Sequence, residues 1–128
     1  MTQRQTTDDI FGEVIYSYTR AQAIEDGVLA DASKMAREAG FRIPVAISTG
    51  VLGYVTPTEA QKKNGQSYDG RLWDVLNMLL YGIRQAEVDA NHVPFSVKMS
   101  GRWVKMYAVV GPGDQAEPVI TIMLPNED

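Results

Sequence analysis

Cysteine is absent from all 128 residues, which excludes disulfides, thiolate metal sites and thiol nucleophiles. Histidine occurs once, at His92, so neither a multi-histidine metal centre nor a paired-histidine acid–base centre can be built. Cations are the minority charge: twelve Lys and Arg stand against sixteen Asp and Glu, for a net charge of −4. That balance argues against general binding along a phosphate backbone, which needs clustered cations. It also falls short of the charge density of a protein that imitates DNA over its whole surface. No run approaches the ~20 apolar residues of a membrane-spanning helix. The opening stretch, Met1 to Asp9, is polar and lacks the apolar core of a secretory signal. The expectation is a cytoplasmic protein with no membrane contact, metal or cofactor.

What is present is most legible in the last third. Pro94–Met99, Arg102–Val110 and Pro118–Leu124 are β-rich runs, separated by Ser100-Gly101 and by residues 111–117. Phe95, Val97 and Met99 alternate with Ser96 and Lys98, and Val104, Met106, Ala108 and Val110 alternate with Trp103, Lys105, Tyr107 and Val109. A period of two buries one face of each run. Ser100-Gly101 reads as a two-residue hairpin loop, and Ile120, Ile122 and Leu124 continue the buried face. These features predict a three-stranded antiparallel meander.

Upstream the chain reads as helices and short strands. Residues 1–10 have nothing to bury and read as a disordered leader, followed by a single domain over 11–128. Glu13–Tyr18 is β-branched and aromatic and predicts a strand. Thr19 and Gln22 match a capping box before a helix that stops at Gly27. Asp31 and Ser33 compete to cap a helix over Lys34–Ala39, ended by Gly40. Over Pro44–Val55 the four-residue spacing of Ile47, Val51 and Val55 predicts a helix, against the β-branched content and Gly50 and Gly53. Thr56-Pro57-Thr58-Glu59 matches a capping box with a turn to Lys63. The clearest helix is Arg71–Glu87, capped by Asp69, with Leu72, Val75, Leu76, Leu79, Leu80 and Ile83 on one face and Trp73 widening it. The fold class expected is α+β: a three- to four-stranded antiparallel sheet with helices packed on one face.

Chemistry-bearing residues are few. His92 reads as a loop histidine; a general-base role needs a nucleophile and an orienting carboxylate, for which Asp69, Asp74 and Asp89 are the candidates. Gly111-Pro112-Gly113-Asp114 is no phosphate cradle, because a strand and not a helix follows it. Lys98, Arg102, Trp103 and Lys105 cluster on one hairpin, a basic-aromatic patch of the kind that holds single strands or a partner. Its bland counterpart is a solvated outer sheet face with a Trp resting on Lys and Arg stems. Tyr68 and Trp73 form a second aromatic candidate, and Asp114 and Glu117 an acidic one.

Long blocks of the chain resemble one family. Phe11–Leu29, Ala36–Ala46, Gly70–Leu76, Val110–Asp114 and Glu117–Pro125 are similar to an uncharacterised family of small bacterial proteins, over nearly all of residues 11–128. The resemblance implies frequent carriage on plasmids, phages and integrated elements. It implies no established activity, so no catalytic residue carries over. In many relatives the stretch after Pro44-Val45-Ala46 looks more helical and carries a Trp; this chain departs from that resemblance with Ile47–Gly53.

Three functions compete. The first is a non-enzymatic accessory protein of a mobile element that binds a host protein, in an anti-defence or regulatory role. The second is a nucleic-acid-binding module using the 98–105 hairpin, with weak binding expected. The third is a small hydrolase or nucleotide-binding enzyme using His92. The first needs no missing chemistry and leads, with homo-oligomerisation compatible with it.

Overall fold

A computed structural model of the chain describes residues 18–87 and 89–127. Along them run helix α1 (Arg20–Glu25), strand β1 (Leu29–Asp31), helix α2 (Ser33–Ala39), strand β2 (Val45–Ser48) and helix α3 (Thr49–Val55). Helix α4 (Glu59–Lys63), helix α5 (Tyr68–Gln85) and strands β3 (His92–Met99), β4 (Arg102–Pro112) and β5 (Pro118–Met123) follow. The strands form one sheet in the order β1-β2-β5-β4-β3. Among the described residues only β2 and β5 pair in parallel; the other ladders are antiparallel.

The fold is therefore α+β, with the expected meander as its β3–β4–β5 half. The sheet itself differs from expectation: it has five strands among the described residues and is mixed. The added strands are Val45–Ser48, from the segment expected to be helical, and Leu29–Asp31, where no strand was expected. Val45 through Ser48 are all buried, on both faces, as an interior strand with a parallel neighbour requires. The helix expected over Pro44–Val55 thus begins only at Thr49. Ser48 ends the strand and caps the helix, its hydroxyl accepting from the Val51 amide. The strand predicted over Glu13–Tyr18 and the leader over 1–10 lie outside the described residues, apart from Tyr18.

Local signals were right in kind and sometimes displaced. The Thr19/Gln22 box forms as expected. The second box is Thr58 with Gln61 rather than Thr56 with Glu59. α5 starts three residues early, capped by Ser67, with Asp69 in its first turn where the helix dipole favours a carboxylate. Neither Asp31 nor Ser33 is the cap residue of α2. Asp31 accepts the Ser33 amide, while the Ser33 hydroxyl bridges the Val45 amide and carbonyl and ties α2 to β2.

The core lies between α5 and the sheet. Leu72, Val75, Leu76 and Leu79 pack on Val93, Phe95, Val97, Met106, Ala108, Ile120 and Ile122, with Ala36, Phe41, Val51 and Val55 closing it. Trp73 does not widen this face; it is 40% exposed. One helix sits on the opposite side of the sheet. Arg20 of α1 donates to the Thr121 hydroxyl at 2.7 Å and the Ile120 carbonyl at 2.6 Å, and Thr121 points away from core-facing Ile120 and Ile122. The expectation of helices on one face holds for α2, α3 and α5 but not for α1.

The segment after β5 is latched back onto the β2–α3 junction. The Glu127 carboxylate accepts from the Ser48 hydroxyl at 2.5 Å, the Leu124 amide at 2.8 Å and the Gly50 amide at 3.0 Å. A Cβ at position 50 would lie 2.5 Å from the carboxylate and 2.7 Å from Leu124 Cδ1, so a side chain there would displace the latch. Partial burial pushes the Glu127 carboxyl up, but the bonds from Ser48, Leu124 and Gly50 together outweigh it and hold it below its ordinary value of 4.5. A lowered folded-state value stabilises the fold fully above the unfolded value, and this contribution is lost as pH falls through the folded one. Glu127→Ala should cost about 1 kcal/mol at pH 7, below the usual worth of bonds to a charged group because the carboxylate is partly solvated. In urea melts the difference between wild type and variant should be smaller at pH 3 than at pH 7. A difference that persists unchanged at pH 3 would show that the latch does not depend on charge.

Candidate functional site

The β3–β4 hairpin is set by its turn. Ser100 and Gly101 have φ of 50° and 78°, the paired left-handed conformation of a tight two-residue loop, with Met99 opposite Arg102. From that closure the pleat assigns faces. Val93, Phe95, Val97 and Met99 go into the core; Pro94, Ser96, Lys98, Trp103, Lys105 and Tyr107 go to the outer face.

On that face Lys98 and Trp103 are directly paired, and the Lys98 Nζ lies 5.9 Å from the Trp103 ring centroid. Trp103 is 64% exposed. Lys105 is paired with Ser96, and His92 stacks on Tyr107 with centroids 4.5 Å apart and planes at 10°. Arg102 belongs to the other side of the pleat, since its partner Met99 is buried. The hairpin thus gathers Lys98, Trp103 and Lys105 on one face and places Arg102 beside the turn on the other.

Three cavities meet at the hairpin. One of about 480 Å³ lies among His92, Ser96, Lys105, Tyr107 and Pro125. A second, of about 260 Å³, is framed by Tyr54, Arg102, Trp103, Lys105 and Asn126. The third, of about 390 Å³, lies between α5 and the outermost strand and is mainly apolar, with Met78, Tyr81, Ala86, Phe95 and Trp103 on its walls. Among the described residues no carboxylate lines any of the three. Asp69, Asp74 and Asp89, the candidate orienters for His92, are not in its cavity.

Carboxylates collect instead between α2 and the start of α5. Asp31, Glu38 and Asp69 line a cavity of about 280 Å³ together with Tyr68 and Lys34. Tyr68 is half-buried, and burial first, then the Asp69 charge, pushes its hydroxyl up in pKa. Tyr68 and Trp73 are not brought together in one cavity. Asp114 and Glu117 have structural work. Asp114 accepts the Arg20 and Ala21 amides at 2.7 and 3.0 Å, tying the β4–β5 loop to α1, and Glu117 accepts the Gln115 amide at 2.9 Å.

Sequence reading passed over Arg71. It is 7% exposed and donates to the Tyr54 carbonyl at 2.8 Å, the Ser100 hydroxyl at 2.9 Å and Gln66 Oε1 at 3.2 Å. Its guanidinium therefore holds the hairpin turn against α3 and the start of α5. The signal for it was helical spacing: Arg71 stands four residues before Val75 and next to Leu72, on the buried stripe.

No curated protein matches the chain, and no solved structure does. A family model does match, over residues 9–128, nearly the whole length. The chain belongs to that family, the family of unknown function DUF6573.

Proposed function

We propose that this chain is a non-enzymatic accessory protein of a mobile genetic element, acting in the cytoplasm by binding a host protein through the β3–β4 hairpin. The sequence resemblance over residues 11–128 supports the mobile-element setting and an anti-defence or regulatory role. The observation that supports the hairpin is its charge. On a chain of net charge −4, Lys98 and Lys105 share a face with an exposed Trp103, Arg102 stands beside the turn, and the three cavities meeting there have no carboxylate among the described residues. Exposed tryptophan beside cations is the composition of an interface anchor, and local positive charge on an acidic protein steers an acidic partner to one place.

The test is capture from the host with the tagged protein, comparing wild type with the Lys98→Ala/Arg102→Ala/Lys105→Ala variant by mass spectrometry. The partner retained by wild type should be lost from the variant while folding is unchanged. Equal capture by both would move the working surface elsewhere.

A second reading has one observation in its favour. The His92–Tyr107 stack and Trp103 share the outer face with Lys98 and Lys105, a stacking platform flanked by cations that suits a single strand of nucleic acid. The acidic balance of the chain predicts weak, non-specific binding. Each cation that pairs with a phosphate in the wild type and is absent from the triple variant should flatten the log–log salt slope by about 0.7 for a single strand. Tight wild-type binding at physiological salt, abolished in the variant, would put this reading first.

A further inference from the structure

We infer that the partner engages the hairpin as an added strand: an extended peptide segment, apolar at alternate positions and acidic between them, pairs with the open edge of β3. The inference rests on the proposed role of the hairpin in protein binding and names the ligand class.

The hydrogen-bonding register defines the edge. The Val110 amide donates to the Asn91 carbonyl at 2.9 Å, and Met99 faces Arg102 across the turn. Bonded pairs alternate in an antiparallel ladder, so Val93, Phe95, Val97 and Met99 direct their backbone groups to β4. His92, Pro94, Ser96 and Lys98 direct theirs the other way. β3 is last in the sheet order, so among the described residues no strand receives them. The edge offers three N–H groups, with Pro94 contributing none, and a row of carbonyls.

The apolar cavity stands against this edge. α5 walls one side with Met78 and Tyr81, its C-cap Ala86 beside them, and Ser96 and Trp103 line the other. α5 passes close to β3 at Gly82, where a Cβ would sit 3.4 Å from Phe95 Cβ and Val93 Cγ1, at ordinary contact distance. Alternate side chains of an added strand would face α5 and Trp103 in turn, which is how strand addition obtains affinity from the backbone and selectivity from pockets.

Charge selects the occupant. Among the described residues no carboxylate lines the groove, and two cations are paired with residues on its wall, Lys98 with Trp103 and Lys105 with Ser96. A second copy of this chain would bring the same cations and a second Pro94, losing another donor. An acidic peptide meets neither obstacle.

The probe is a capped heptapeptide alternating Glu with Val and Phe, titrated into the ¹⁵N-labelled full chain. Slowed exchange at the His92, Ser96 and Lys98 amides is expected, with shifts at Tyr81 and Trp103. Tyr81→Ala and Ser96→Pro should each weaken binding by about 10-fold, the loss typical of an interface anchor or edge bond. If Ser96→Pro does not fold, Tyr81→Ala carries the comparison. Lys98→Glu should weaken the acidic peptide and strengthen its lysine counterpart. Shifts confined to Lys105 and Tyr107 would sink strand addition while leaving hairpin binding intact. Failure to bind at millimolar peptide, or edge protection that instead tracks protein concentration through a dimer, would overturn the inference too.

Discussion

Leu76→Ala and Leu79→Ala should each destabilise the protein by about 2–5 kcal/mol, because each deletes buried methylenes and leaves a cavity that packed neighbours refill only in part. Both side chains are fully buried at the centre of the α5 stripe, against the core-facing residues of β3, β4 and β5. That loss is a large share of the stability of a domain this size. Equilibrium urea denaturation of the two variants measures it directly. Ile83, on the same helix and 37% exposed, supplies the control: Ile83→Ala should cost well under half as much. Losses below about 0.5 kcal/mol at both leucines would mean that α5 does not carry the core.

Arg71→Ala should cost about 2–3 kcal/mol and loosen the hairpin turn. Two effects oppose each other. Three bonds from a charged donor, to Tyr54, Gln66 and Ser100, stabilise the fold by more than neutral bonds would. Burying a guanidinium with no carboxylate among those partners costs desolvation free energy. Alanine loses the bonds and leaves a void; methionine loses the bonds, fills the void and removes the buried charge. Arg71→Met should therefore be the less destabilised variant. Amide exchange at Ser100 and Arg102 should accelerate in both. Unchanged exchange there would show that Arg71 fills space but does not hold the turn.

What could be read from the sequence follows from which signals are local. The meander was legible because residues 93–110 alternate with a period of two, and because only a tight loop fits between Met99 and Arg102. The α5 stripe was legible because Leu72, Val75, Leu76 and Leu79 keep helical spacing. β2 was not. Four residues buried on both faces have no period of their own, and Ile47, Val51 and Val55 happen to span a strand–helix junction at helical spacing. Ser48, a cap residue three before Val51, was the overlooked boundary.

The same division runs through the candidate surface. Lys98, Trp103 and Lys105 could be placed together because positions 98 and 103 flank the turn symmetrically. Arg102 faces the other side of the pleat, since neighbouring strand residues face opposite ways, and meets Trp103 and Lys105 only around the cavity beside Tyr54. The groove between α5 and β3 was beyond reach, because its width depends on how closely the helix crosses the sheet at Gly82. Asp114 looked like surface charge and is a cap for α1, a contact between residues 94 positions apart.

The single parallel pair in the described sheet has a consequence for the order of folding. β3, β4 and β5 join through short loops, so their pairing closes little chain. β2 meets β5 only after the ~70 intervening residues have been gathered, and loop-closure entropy opposes that step until the meander and α5 exist to receive it. The meander should thus acquire exchange protection first in pulse-labelled refolding, with β1 and β2 docking late. Late-docking strands lie outside the folding nucleus, so weakening β2 should hasten unfolding and leave the folding rate nearly unchanged. Substitutions that lengthen the life of the native state would then fall in β2 rather than in the hairpin, leaving the hairpin surface free to change without altering how long the molecule lasts.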